Sequence, residues 1–393
     1  MSRSTRLKDD EVLYGWKPIA QFLNCAVRTA QRAEKAEGLP ILRPDERQKG
    51  RVLALKKALL AWMTGGVESV ILTDNRLIAF NRKTRILWSH EFPILLRNYN
   101  PTELEWRLHI VDLTGKGERG VLLVAQFQSA TTPDTLYYFS SEGSLVWELE
   151  SEPPLRNRDG QPFDRAWVVN HVVVTSNQEG ATIWAALANR SGWAGCVLRI
   201  APNGPATVHF ANAGHVERIS PVRSGANDAL IICGENNDFD RAFVALLNTN
   251  DPPARSVPGE RLVYRFGNAP SGMPPKYILF PRTELIVARE KPYGHADRIT
   301  QHLDGIIVDV ETGGNGGDFR YHFSNDLEPK YVFPSGSHEF THLSLETRGA
   351  ITHSWSDCPE LKAPLILQTW EPDSGWYEQP IRWRDNPWKE VRR

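Results

Sequence analysis

The chain has 393 residues, 41% of them hydrophobic and 24% charged, with 46 Lys/Arg against 47 Asp/Glu. That length gives two or three domains with ample material for a core; 29 Gly and 27 Pro exclude a collagen-like or largely disordered chain. Four scattered cysteines (Cys25, Cys196, Cys233, Cys358) without a C-x-x-C pair exclude a disulfide framework and a cysteine zinc site. No apolar run reaches the length of about 18 residues that a membrane helix needs. The first residues, MSRSTRLKDDEVLYG, lack the apolar core of a secretory signal. The expected compartment is the cytoplasm, with no membrane association.

The charge is unevenly spread. Met1 to Met63 carries 13 Lys/Arg against seven acids, a net +6, and the remainder 33 against 40, a net -7. A basic head on an acidic body is invisible in the whole-chain average. Residues 1–11 read as a flexible N-terminus. Ile19, Phe22 and Leu23 recur at helical spacing and predict a short helix over 17–23. Asn24 breaks it and is placed to cap a second helix from about Ala26 to Glu37, ended by Gly38 and Pro40. Leu39–Arg43 and Arg51–Leu55 flank a polar tip at 44–50 and read as a hairpin. Lys56–Met63 closes as a third helix. Beyond Gly65–Gly66 the apolar residues fall into short runs, so 65–66 is the expected linker between a 12–64 head and a 67–383 body.

Helix, turn, helix, hairpin and helix is a winged helix-turn-helix plan. The runs Tyr14–Leu23 (YGWKPIAQFL), Arg28–Arg32 (RTAQR) and Gly38–Pro40 (GLP) resemble the MerR/excisionase-type DNA-binding domain placed at the front of multidomain bacterial proteins. The resemblance implies that the second helix enters the major groove of double-stranded DNA and the wing tracks the backbone. Arg28, Thr29, Gln31 and Arg32 would then face DNA, and Arg43, Arg47, Lys49 and Arg51 would line the wing. Arg and Gln read guanine and adenine edges, while wing cations neutralise phosphates. Ala33 departs from the family's usual aromatic at that position. No long dimerising helix follows Met63, so specific binding requires a homo-oligomer formed through another surface.

Residues 67–383 contain short strand-like runs with turn signals every 8–12 residues and no long amphipathic helix, which predicts an all-β body. Phe80 precedes Trp88, and Phe139 precedes Trp147, by eight residues across a polar turn; Val197–Phe210 is a weaker third copy. This unit resembles the outer hairpin of pyrroloquinoline-quinone-type propeller repeats. Trp106–Gly117 followed by Val121–Val124 resembles an FG-GAP blade, whose loop chelates calcium; here Asp112 is retained but Thr114 and Lys116 replace oxygen ligands, so no metal is expected. Repeats fall near 67–92, 104–150, 164–212, 215–258, 274–333 and 338–383, giving about six propeller blades, with five or seven open. Pro364–Trp370 or Trp376–Trp383 is expected to close the ring on 67–92, and 384–393 is a tail.

His338–His342 (HEFTH) spells the zinc-protease motif, which requires both His on one helical face. The following alternation reads as a strand, which separates the two His by about 13 Å. His295 through Asp309, followed by Gly313–Asp318, reads as a solvated insertion between two strands, the alternative being a flexible loop on a propeller face that offers metal or ligand groups. No catalytic residues, cofactor or metal are assigned. The expected function is a DNA-binding transcriptional regulator whose propeller senses a ligand or docks a partner, neither of which is identified. The alternatives are a propeller enzyme acting on glycans, localised by its head, and a non-catalytic protein scaffold.

Overall fold

The computed structural model describes residues 12–384 apart from 38, 40, 44–51, 57, 58, 60–65, 82, 83, 116, 129–131, 165, 166, 178, 179, 226, 260–265, 291–293 and 312–318. It begins with β1 (Val12–Tyr14), α1 (Trp16–Phe22), α2 (Val27–Glu37) and β2 (Leu53–Leu55). Asn24 ends the turn after α1 in the left-handed conformation (φ 49). It breaks the helix as expected, while the Thr29 and Ala30 amides of α2 bond to the Ala26 carbonyl. β1, too short to show a strand pattern, pairs antiparallel with β2, and Leu42 bridges to Leu53 as the expected hairpin requires. Ile19, Ala20, Ala30, Ala33, Leu39 and Val52 form the small core beneath. Of the expected third helix only Lys56 and Leu59 are described, and Leu59 is buried.

The rest of the chain is mostly β. β3 (Ser69–Leu72), β4 (Arg76–Phe80) and β5 (Ile86–Glu91) form an antiparallel sheet. α3 (Pro101–Arg107) leads into a four-stranded sheet of β6 (Leu108–Val111), β7 (Gly120–Ala125), β8 (Thr135–Phe139) and β9 (Leu145–Glu150). A further sheet has β10 (Trp167–Asn177), β11 (Gly180–Asn189), β12 (Gly195–Ile200) and β13 (Ala206–Asn212). β14 (Val216–Ser224), β15 (Asn227–Asn236) and β16 (Arg241–Asn248) start the next one, while β17 (Ala254–Arg255) pairs parallel with β13. β18 (Lys276–Leu279) then joins β16. After α4 (Glu284–Ala288) come β19 (His295–His302), β20 (Gly305–Glu311), β21 (Phe319–Phe323) and β22 (Pro329–Pro334). α5 (Gly336–Thr347), a short 3-10 turn at Trp355–Asp357 and α6 (Pro359–Lys362) precede β23 (Leu365–Glu371) and β24 (Gly375–Ile381).

Three expectations are corrected. His295–Asp309 is the β19–β20 hairpin and not an insertion or loop; the polar, largely exposed residues of edge strand β19 hide the partner strand β20, which is buried on both faces from Gly305 to Val310. The Gly313–Asp318 stretch lies outside the described residues. Residues 336–347 are a helix, because the Ser335 hydroxyl caps it at the His338 amide (3.2 Å). The 338–383 segment forms no sheet of its own: β23 pairs with β18, β24 pairs with β23, and Trp383 bridges to Val332. The free edge of β18 takes the strands that were expected to close a ring.

The chain forms two compact units. One takes in the chain to Leu95 with Ile110–Leu122 and Tyr138–Val146; the other holds Leu96–His109, Leu123–Tyr137 and everything from Trp147. In the first, the Trp88 indole donates to the Ser141 carbonyl (3.2 Å), and the ring covers Gly143, where a Cβ would lie 2.5 Å from Trp88 Cγ. In the second, the Trp147 indole donates in the same way to the Pro202 carbonyl (2.9 Å), over Gly204. The recurrent aromatic, turn and Trp are thus a docking device between successive hairpins.

The second unit also stacks sheets face to face. Side chains alternate along β15. Ala229, Ile231 and Cys233 pack with Ile306, Val308 and Tyr321 of the β19–β22 sheet. Leu230 and Ile232 pack with Trp184, Val197 and Phe210 of the β10–β13 sheet. Each large aliphatic buried this way contributes about 2 kcal/mol.

Candidate functional site

On α2, Arg28, Thr29, Gln31 and Arg32 are all exposed, while Ala30 and Ala33 turn inward. Helical spacing produces that division, with small residues beneath and long polar ones outside. Arg43 is exposed as well, but both terminal nitrogens of its guanidinium meet the Glu34 carboxylate of α2, NH2 at 3.1 Å. Of the expected wing cations, Arg47, Lys49 and Arg51 lie outside the described residues.

In the second unit, a cleft of about 210 Å³ gathers Arg97, Arg107, Arg190 and Arg218 around Gln126 and Asn170. α3 sets its floor. Asn100 caps the helix in a reciprocal capping box with Glu103, and Pro101 opens its first turn. This fixes Arg107 at the last turn, where it is only 4% exposed. Its guanidinium lies 4.0 Å from the Trp106 ring centroid and 4.9 Å from that of Tyr99. Nε and Nη1 have no hydrogen-bond partner, and Nη2 is 3.5 Å from Gln126 Oε1. Burial pulls the Arg107 pKa down, against the Coulombic pull of Tyr99, Asp134 and Glu103.

Arg97 donates to Gln126 Oε1 at 3.0 Å and stands 4.0 Å from Glu103. Behind the cleft, burial raises the Asp134 carboxyl to about 6, although the Val169 amide and Arg107 oppose it. Arg218 is held by the Glu217 carbonyl (2.8 Å). Burial, then the charge of Arg218, lowers neighbouring His171 to about 3, so its ring is neutral. Four guanidinium groups, one of them buried with unpaired donors, suit the oxygens of a phosphate or carboxylate.

Beside Arg218, His215 Nδ1 faces Glu235 at 3.1 Å and Glu217 at 3.9 Å, with Trp193 stacked on its ring (5.4 Å). The other Glu235 oxygen is 2.5 Å from His295 Nδ1. Glu235 is 1% exposed, so it holds charge in place and does not open onto a cleft. The hydrogen bond to Glu235 raises His295, more than burial lowers it, and burial raises Glu217. Stability from the His295–Glu235 pair is therefore complete below about pH 6.5 and is lost as pH rises through the higher folded pKa. Glu217 works in the same direction from about pH 4.5 upward. Melting temperature should fall as pH rises above about 6.5, and His295→Gln should flatten that fall. A melting curve series in which the variant keeps the wild-type slope would contradict the pairing.

Other candidates are weaker. A larger cleft of about 420 Å³, lined by Arg199, Arg223, Asp228 and His302 among others, mixes charges of both signs. His302, Asp304 and His322 converge, but the Lys330 ammonium donates to Asp304 Oδ2 (2.9 Å) and fills a cation's place. In the loop after β6, Asp112 accepts from the Thr114 amide and hydroxyl (3.0 and 2.9 Å) and the Gly117 amide (2.5 Å). Burial raises its pKa, and those bonds outweigh the rise and lower it. On α5 the two His of HEFTH share one buried face. His338 packs on Phe319 (3.9 Å), while His342 Nε2 meets His353 Nε2 at 3.2 Å.

No family model and no curated protein sequence matches the chain. Among solved structures it is similar to BBS1N in complex with ARL6DN, at 8% identity and TM-score 0.34, over 67% of this chain and 62% of that one. It is similar to the GH43 β-1,3-galactosidase BT3683 at 8% identity and TM-score 0.31, over 67% and 87%. The likeness to europium-containing methanol dehydrogenase has 10% identity and TM-score 0.32, over 81% and 62%. The chain thus spans under two thirds of the first and third. The architecture above rests on its own strand pairing.

Proposed function

We propose that the chain is a DNA-binding regulator whose residues 12–64 act as a winged helix-turn-helix domain and whose β body takes up a small anion. The observation that carries the reading is the α2 face: Arg28, Thr29, Gln31 and Arg32 point to solvent above a core built from α1, α2 and the strand pair. Face-to-face meander sheets support reading the body as a β-propeller. The arginine cleft supplies the sensing half, because a buried guanidinium with unpaired donors is stabilised by an entering oxyanion. A gel-shift titration against genomic fragments tests the DNA half. Retarded complexes that are indifferent to Arg28→Ala with Arg32→Ala would overturn the assigned reading helix.

Isothermal titration with inorganic phosphate, pyrophosphate and citrate tests the cleft. At least one should bind, and Arg190→Gln or Arg218→Gln should each weaken it at least about tenfold, the scale of a lost charge-assisted bond. Equal binding by both variants would remove the cleft from the function.

A further inference from the structure

The β-rich second unit carries one segment that does not belong to its stacked sheets. α4, α5 and the turn around 355–362 lie between strands and, among the described residues, share an apolar cluster of Leu285, Leu345 and Ile351, with Ala288 at its margin. Three aliphatic side chains are a small apolar cluster for joining helical pieces. Four metal-binding side chains converge there: Glu284 at the start of α4, His342 on α5, His353 in the following loop and Cys358 at the head of α6.

The spacing of their donor atoms is informative. His342 Nε2 and His353 Nε2 are 3.2 Å apart, and His353 Nε2 and Glu284 Oε2 are also 3.2 Å apart. Cys358 Sγ is 4.0 Å from the same Glu284 oxygen, and all four donor atoms lie within 4.8 Å of one another. Zinc–nitrogen and zinc–oxygen bonds of about 2.0 Å and a zinc–sulfur bond of about 2.3 Å give tetrahedral edges of about 3.3–3.6 Å. Two of the four residues, His342 and Cys358, are 1% exposed, unlike an incidental surface cluster.

We propose that Glu284, His342, His353 and Cys358 form a tetrahedral structural zinc site that pins the 336–362 segment to the unit carrying it. Two imidazoles, a thiolate and a carboxylate suit zinc; calcium and magnesium want oxygen alone. Four protein ligands leave no open vertex for water, which makes the site structural and not hydrolytic. On binding, the Cys358 S–H bond breaks, its proton passes to solvent and the sulfur electron pair forms the zinc–sulfur bond. The HEFTH motif thus lends its second His, while His338 goes to the aromatic packing around Phe319 and Trp355. The competing arrangement is a metal-free hydrogen-bond chain from His342 through His353 to Glu284. In that chain the Cys358 thiol does no more than donate to Glu284 at 4.0 Å, so a sulfur–metal bond separates the two.

The test uses the full-length chain, stripped with EDTA and titrated first with Zn2+ against a chromophoric chelator, then with Co2+. The expected result is one equivalent of Zn2+, tetrahedral d–d bands with Co2+, and a sulfur-to-cobalt charge-transfer band. Cys358→Ser should abolish that band, and Cys358→Ser and His353→Gln should each weaken Zn2+ binding at least tenfold, while Cys25→Ser changes neither. Melting each variant in EDTA beside the wild type in EDTA separates lost folding from a lost ligand. If a variant fails to fold, the wild-type Co2+ spectrum decides. Absence of a thiolate band at one equivalent of Co2+, or unchanged affinity in a folded Cys358→Ser, overturns the site.

Discussion

Gly214→Ala is expected to destabilise the second unit by about 3 kcal/mol, at the upper end of what overpacking usually costs. An added Cβ would stand 2.1 Å from the Glu235 carbonyl oxygen and 2.8 Å from its carbon, which no side-chain adjustment relieves. Gly234 faces the same problem across the pair, 2.1 Å from the His215 carbonyl oxygen. These two close approaches let the backbone before β14 lie against the end of β15. They also set His215 beside Glu235, with Asn212 Nδ2 donating to the Gly214 and Glu235 carbonyls (2.9 and 2.8 Å). The contrasting control is Gly336→Ala. Nothing lies within 4 Å of its Cβ, it opens α5, and the greater helix propensity of Ala should leave stability unchanged or raised by up to about 1 kcal/mol. Urea denaturation of both variants checks the pair. Similar midpoints would mean that the 214–235 approach is not tight in solution.

The second large effect concerns DNA. Exposed Arg28 and Arg32 on α2 are the proposed base- and phosphate-reading cations. Removing both by Arg28→Ala with Arg32→Ala should weaken binding by about 100-fold or more, since a good base contact is worth about 1–3 kcal/mol. Loss of a phosphate contact would also lower the salt slope by about one for each contact. Arg43→Ala should cost much less, because its guanidinium is engaged by Glu34. Freeing that guanidinium with Glu34→Gln should raise non-specific affinity by a few-fold. Fluorescence anisotropy with one labelled fragment at several salt concentrations measures all three. An Arg43→Ala defect as deep as that of the double variant would move the reading surface from α2 to the wing.

Local signals predicted local structure well. α1 and α2 were legible because Ile19, Phe22 and Leu23 keep helical spacing and Asn24 and Gly38 punctuate it. The Trp hairpins were legible because aromatic, turn and Trp recur within one hairpin. The helix at 336–347 carried its own signal in Ser335 as cap and in His338, His342 and Leu345 at i, i+4 and i+7. The alternation of Leu343 and Leu345 outvoted it. The arginine cleft had no such signal. Arg97 lies before α3, Arg107 ends α3, Arg190 follows β11 and Arg218 is on β14, and only the pairing and stacking of strands brings them together. The same holds for Glu284, His342, His353 and Cys358, whose chemistry is unremarkable until α4 and α5 meet.

The Trp–glycine contacts have a consequence for how such a chain can change over generations. Trp88 presses on Gly143, and Trp147 presses on Gly204, so the β4–β5 and β8–β9 hairpins each carry a key that the next hairpin's turn receives. Duplicating or excising one whole hairpin-to-hairpin period keeps every key opposite a lock. Cutting half a period strands an indole against a turn with no glycine to receive it. The stretch joined by these two contacts is therefore suited to lengthening or shortening in whole periods.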